Sequence, residues 1–191
     1  MTRETPDIFF RPLIQADLAA ALAIQAATYP AFLLEPEAAF ASRLTVTAPY
    51  CLAAVRDDAM IAYLLAYGWP HQSPAAVGEV LMVGRPIEVL FIHDLAVSSA
   101  GRGSGIGRKL IAQAFDMAGA DGLDEAELIA VEGAASYWSA LGFAETEMSA
   151  ELAQKVAAYG SDARWMTRKL SLPVGAPVYL PSLPLDCARW F

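Results

Sequence analysis

The stretch that decides the fold runs from His93 to Leu110 and reads HDLAVSSAGRGSGIGRKL. It closes one element and opens another. On the upstream side, Ile87 to Val97 is apolar on both faces. Alternation puts Ile87, Val89, Phe91, His93, Leu95 and Val97 on one face and Leu90, Ile92 and Ala96 on the other. Such a strand belongs in the middle of a sheet covered on both sides. The same alternation sends Asp94 to the face opposite His93 and gives it a structural role. On the downstream side, Ile106, Leu110, Ile111, Ala114, Phe115 and Ala118 recur at helical spacing, with Gly119 and Gly122 as the stop. Between strand and helix lies a glycine-rich turn. The first turn of a helix offers N–H groups without internal partners and the positive end of the helix dipole. Glycines bring that backbone within reach of an anion because no Cβ intervenes.

Outward from this centre the chain alternates strands and helices. Ile8–Leu13 reads as a short strand, and Asp17 opens an Ala- and Leu-rich helix that Tyr29-Pro30 ends near Thr28. Glu35-Pro36-Glu37 starts a second helix through Leu44. Tyr50–Val55 and Met60–Tyr67, joined by Arg56-Asp57-Asp58, form a hairpin. Gly68–Pro86 is irregular, with a short helix near Val80 as a local candidate. Beyond the central helix come a strand at Ala126–Val131, a short helix at Ala134–Leu141 closed by Gly142, and a strand at Ala163–Leu170. Residues 1–170 thus read as one domain. Residues 171–191 carry four prolines among apolar side chains and read as an extended arm packed on its own domain or on a second subunit, which makes a homodimer one expectation.

Composition narrows the function classes. The 191 residues are 56% hydrophobic and 18% charged, which is a folding chain rather than a disordered one. A net charge of −8 argues against nucleic acid, whose binders need a basic face. Cys51 and Cys187 have neither metal-site nor redox spacing. The opening MTRETPDIFF lacks the pattern of a signal peptide, and the longest apolar stretch, Leu18–Leu34, is interrupted by Gln25, Thr28 and Pro30. The expectation is a cytoplasmic protein without a membrane span or a metal.

Spacing then selects the anion. Neither Gly101 nor Gly103 is followed by Gly-Lys at the Walker A distance, and the G-x-G-x-x-G pattern fails at Ile106 and at Arg108. What does fit is Arg102-x-x-Gly105-x-Gly107. It resembles the Q/R-x-x-G-x-G/A signature of the GNAT superfamily, whose loop holds the pyrophosphate of coenzyme A. The strand ending Leu95-Ala96-Val97 just before the loop, the stretch AVEGAASYWSALGFAE from Ala130 to Glu145, and the order of elements are similar to that superfamily as well. The resemblance covers roughly Ile8 to Leu170. It implies an α/β fold with a mixed, mostly antiparallel sheet flanked by helices and splayed at the acyl-CoA site. It implies acetyl-CoA as co-substrate. Backbone groups of Leu95, Ala96 and Val97 would meet the pantetheine arm, and Arg102, Gly103, Ser104, Gly105, Ile106, Gly107 and Arg108 would cradle the diphosphate. Ser136 and Trp138 would lie along the arm.

The implied reaction is transfer of an acetyl group to the primary amine of a small molecule. A protein or peptide N-acetyltransferase and a low-activity acyl-CoA-binding module are the alternatives. An amine of pKa ~10.4 must lose a proton before it attacks, and His93 is the base of choice, with an ordinary pKa of ~6.5. Its place resembles that of the active-site histidine of arylalkylamine acetyltransferases, which read H-x-L-A-V there. Its other reading is a packed core histidine. Glu79 and Glu132 are reserve bases. Many superfamily members carry a tyrosine four residues before the glycine of the Gly-Phe pair; Trp138 stands there instead, and an indole N–H does not give up a proton near neutrality. Either Tyr137, next door, substitutes as the acid, or water protonates the thiolate, or catalysis has no dedicated acid. Tyr29, Glu35, Trp69, His71 and Glu79 are candidates for the amine pocket.

Overall fold

The structure is a computed structural model that describes residues 7–46 and 50–171. The expected Pro-rich arm, from residue 172 on, lies outside the described residues, as does Cys187. Seven strands form one sheet in the order β1 (Phe9–Pro12), β2 (Leu52–Arg56), β3 (Ala59–Trp69), β4 (Val89–Val97), β5 (Glu125–Ala130), β7 (Arg164–Lys169), β6 (Ala144–Glu145). Every neighbouring pair is antiparallel except β4 and β5. The mixed, mostly antiparallel sheet is the expected one.

Helices cover both faces. On one side α3 (Ile106–Ala120) and α4 (Ala135–Ser139) set Ile106, Leu110, Ile111, Ala114 and Trp138 against Leu64, Ala66, Leu90, Ile92 and Leu128. On the other, α1 (Leu18–Thr28) and α2 (Glu37–Arg43) pack Leu18, Ala21, Ile24 and Phe40 on Ala53, Tyr63, Leu65 and Ala96. There α5 (Ala150–Ala157) adds Leu152 and Val156 to Tyr67, Phe91 and Trp165. The hairpin turns at Asp57 and Asp58, both at positive φ, as a tight two-residue turn requires. Two elements escape the sequence reading: the two-residue β6 and α5. Ser149 caps α5 by accepting a hydrogen bond from the Leu152 N–H at 3.1 Å. The helix near Val80 does not form; that segment is extended and turn-like.

One irregularity positions the site. In the β3–β4 ladder Leu65 pairs with Asp94 and Ala66 with Ile92, which leaves His93 as the extra residue of a β-bulge. The bulge resets the alternation. Leu95 and Val97 pack on the α3 side with Leu90 and Ile92, while Phe91 and Ala96 face α1 and α5. The alternation expected from sequence therefore holds only up to Ile92. Asp94, placed by it opposite His93, bonds instead to Tyr63 on the α1 side.

Candidate active site

The bulge also parts the sheet. Pairing of β4 with β5 stops at Ile92–Leu128, immediately before His93, whereas β5 stays paired to β7 through Ala130. From His93 onward β4 diverges from β5 and leaves a wedge between them. His93, Asp94 and Leu95 are half-buried there. A cavity of about 300 Å³ occupies the wedge. Its lining comes from both faces of the sheet: Ile92, Leu95, Leu128, Tyr137 and Trp138 from the α3 side, and Tyr29, Leu33, Val77, Phe91, His93 and Tyr159 from the other. The cavity therefore passes through the sheet.

Next to the α3 side of the cavity, outside its lining but reached by the Tyr137 hydroxyl, is the glycine-rich loop. Gly105 caps α3 at φ +75, a left-handed conformation that glycine adopts without strain. Arg102, Gly103, Ser104, Gly105 and Arg108 are exposed, and Ile106 and Gly107 are buried beneath them. A Cβ on Gly107 would stand 2.7 Å from the Tyr137 hydroxyl, so the missing side chain is what lets the phenol reach the start of α3. These features suit a diphosphate: free N–H groups at the end of a fifteen-residue helix, and no Cβ in the way.

On the opposite face, three ionisable side chains from separate elements meet. Glu35, just before α2, places Oε1 2.7 Å from Nε2 of His93 and 2.7 Å from a terminal guanidinium nitrogen of Arg43. Its other oxygen accepts the Gly78 N–H at 2.8 Å. Arg43 is fully buried; its two terminal nitrogens also donate to the carbonyls of Ala39, Glu79 and Ala76, while its Nε–H meets no acceptor among the described residues. Burial works against the Glu35 charge, but His93, Arg43 and the Gly78 amide outweigh it and hold the carboxyl below its ordinary pKa. Burial and the Arg43 charge push His93 below its ordinary pKa, against the pull of Glu35. The result is a neutral imidazole near neutral pH whose Nε2–H donates to an ionised carboxylate. The lone pair then sits on Nδ1.

Beside this triad lies a buried polar knot. Asp94 accepts from the Tyr63 hydroxyl at 2.5 Å, and burial pushes its carboxyl up despite the hydroxyls of Tyr63 and Tyr29. The Tyr29 hydroxyl donates to the Leu95 carbonyl at 2.9 Å, across the wedge from α1.

Of the residues singled out from sequence, His93, Tyr137, Trp138, Leu95, Tyr29, Glu35 and Glu132 line the cavity. Ser136 is exposed and lies outside that lining. Trp69 and Glu79 line a neighbouring cavity. His71 turns away to Glu127, with Nδ1 2.7 Å from Oε1. Trp138 is a core residue, edge-on to Phe143 at 5.6 Å and to Tyr137 at 5.2 Å. Sequence reasoning missed Arg43, Tyr159 and the Glu35–His93 contact. No local pattern marks Arg43; Tyr159 follows directly on the unread α5.

Comparison with known proteins agrees with this geometry. The family model described as Acetyltransferase (GNAT) family matches residues 18–143. No curated protein sequence matches. Among solved structures, the ribosomal-protein-S18-alanine N-acetyltransferase from Escherichia coli superposes with a TM-score of 0.65 at 17% identity, over 91% of this chain and 100% of that one. Naa50 of Arabidopsis thaliana, solved with the bisubstrate analogue CoA-Ac-MVNAL, gives 0.62 at 14% identity, over 84% and 97%. The PaiA N-acetyltransferase of Thermoplasma acidophilum, solved with coenzyme A, gives 0.59 at 14% identity, over 85% and 99%. At such identities the likeness is one of fold.

Proposed function

The chain belongs to the GNAT acetyltransferase family, and from that premise we propose that it moves an acetyl group from acetyl-CoA to the primary amine of a small molecule. The observation that carries this reading is the cavity running through the parted sheet. The glycine-rich loop adjoins its α3 side through Tyr137, which lines the cavity and reaches Gly107, and a histidine held by Glu35 lines the other side.

In this reading acetyl-CoA enters from the α3 side. The loop from Arg102 to Arg108 holds its diphosphate, and the edge of β4 from Leu95 to Val97, which is not paired with β5, guides the arm. Trp138 forms a wall near the thioester. The acceptor enters from the α1 and α5 side. His93 takes a proton from the ammonium through Nδ1, directly or through water, and the freed lone pair attacks the thioester carbonyl. The carbon–sulfur bond breaks, the nitrogen gives up its second proton to water as the amide forms, and the thiolate leaves with a proton from the Tyr137 phenol or from solvent. A departing thiol of ordinary pKa ~8.5 needs little help. Glu35 does not touch the reacting atoms; it keeps the His93 ring oriented and in one tautomer, as the carboxylate of a hydrolase triad does.

The test is acetyl-CoA turnover against a panel of amines, read as release of free thiol, with His93→Ala alongside. Thiol release with a small amine, reduced about 100-fold or more in the variant, supports the reading. Release with peptides alone would transfer the reaction to a protein acceptor. Tight acetyl-CoA binding without release would make the chain a binding module.

A further inference from the structure

Resting on that reading, we infer that the acceptor is a primary amine on an uncharged, apolar body, with no carboxylate beside the nitrogen. The acceptor half of the cavity is walled by Tyr29, Pro30, Leu33, Val77, Phe91 and Tyr159, all aromatic or aliphatic. At the His93 end Phe91, and the buried Tyr67 outside the lining, lie tilted with their ring centres about 6 Å from the imidazole. Such a surface gives binding energy to a hydrocarbon or aromatic body and little to a polar one.

Charge at the cavity points the same way. Its ionisable lining residues, beyond the tyrosines, are Glu35, His93, Asp94 and Glu132, and no lysine or arginine is among the described residues lining it. The nearest cation behind that wall, Arg43, is already divided among Glu35 and three carbonyls. An amino acid would bring its carboxylate against Glu35 and Glu132 with no lysine or arginine in the lining free to meet it. An ammonium group meets no such conflict. Size adds a second restriction: about 300 Å³ is at the small end for ligand sites, and the acyl end of the donor shares it.

The experiment uses four acceptors that share one phenyl group: 2-phenylethylamine, phenylalaninamide, phenylalanine and a phenylalanyl dipeptide. Each is offered with saturating acetyl-CoA at the same pH. The amine should exceed phenylalanine by about 100-fold or more in kcat/KM, since like charges facing each other cost several powers of e. Phenylalaninamide, which keeps the branch but loses the charge, should fall between them. Val77→Arg, a change on the half-buried wall, supplies the absent cation and should shrink the gap between amine and amino acid at least fivefold. Equal rates on phenylalanine and the amine would overturn the inference and leave the acetyltransferase reading standing. A gap unmoved by Val77→Arg, with phenylalaninamide as poor as phenylalanine, would show that shape decides and overturn it too. Acetylation of none of the four, or of any other amine in the wider panel, would overturn both readings.

Discussion

Oε1 of Glu35 lies 2.7 Å from Nε2 of His93, although 58 residues separate them in the chain. The contact joins the loop before α2 to the bulge of β4. An ionised carboxylate at Nε2 leaves His93 no choice of tautomer, so the basic nitrogen is Nδ1. Arg43 behind the carboxylate keeps it charged, and the Gly78 amide holds its second oxygen.

Glu35→Gln tests this directly. An amide can donate to Nε2 as well as accept from it, so the ring loses its fixed tautomer. We expect kcat to fall about 100-fold while KM for acetyl-CoA stays within about twofold, since nothing at the phosphate loop changes. The pH profile gives a second readout. In the parent enzyme His93 is held below its ordinary value, so activity should fall only as pH drops below ~6.5 and protonates the base. Removing the Glu35 charge removes what pulls that pKa upward, and the acidic limb should move to still lower pH.

The ion pair of Glu35 with Arg43 carries stability. Breaking a buried ion pair from one side leaves a charge without a partner and costs about 3–5 kcal/mol. Glu35→Ala should therefore lower the unfolding free energy by that order in urea, with Arg43 stranded in the core. Glu35→Ala combined with Arg43→Met should recover part of the loss. The linkage has a definite sign. The folded Glu35 pKa is depressed, so its contribution is complete above the unfolded value of ~4.3 and disappears as pH falls through the folded one. A double-mutant cycle with no coupling between the two positions would refute the ion-pair account.

Much of this architecture is legible in the sequence because its signals are local. Asp57-Asp58 between two apolar runs gives the hairpin. Glycines at 101, 103, 105 and 107 between an apolar strand and an amphipathic helix give the loop proposed for the diphosphate. The bulge is harder to read, because period-two alternation assumes that no residue is extra. Its one trace is the adjacent polar pair His93-Asp94 inside an apolar strand, and reading that pair as an alternation sent Asp94 to the wrong face. Arg43 was out of reach for another reason. It looks like the basic last turn of a surface helix, and only the long-range arrival of Glu35, Ala76 and Glu79 makes it buried. The short α5 was missed although Ser149, Leu152 and Val156 give its cap and its apolar side.

A separate titrating group lies on β5. The Glu127 side chain is fully buried, and burial pushes its pKa up to about 7, with Glu125 and Glu88 adding to the rise. The Gln72 amide at 3.0 Å and His71 oppose it. A raised acid favours the protonated native state. Stability should therefore decline as pH rises from the unfolded value of ~4.3 to about 7, then level off. Glu127→Gln should flatten that slope and make the protein more stable than its parent at pH 8. Thermal melts from pH 5 to pH 8 would show it, and parallel curves for the two proteins would rule it out.

The last prediction concerns how Gly107 and Tyr137 share space. A Cβ at position 107 would come within 2.7 Å of the Tyr137 oxygen and 3.4 Å of Leu95 Cδ2. The close neighbour is the far end of a side chain that can turn, so Gly107→Ala should fold, and the helix interior tolerates alanine better than glycine. What changes is the mouth of the wedge: the phenol must leave the start of α3, and a methyl group takes its place on the surface proposed for the diphosphate. Acetyl-CoA affinity should fall about 10-fold or more, with unfolding free energy unchanged or slightly higher. Tyr137→Phe separates the two effects. It leaves the glycine open, so acetyl-CoA binding should persist while thiol release slows, if the phenol is the proton donor. Unchanged turnover in Tyr137→Phe would assign protonation of the thiolate to solvent. Unchanged acetyl-CoA affinity in Gly107→Ala would remove the loop from the binding site.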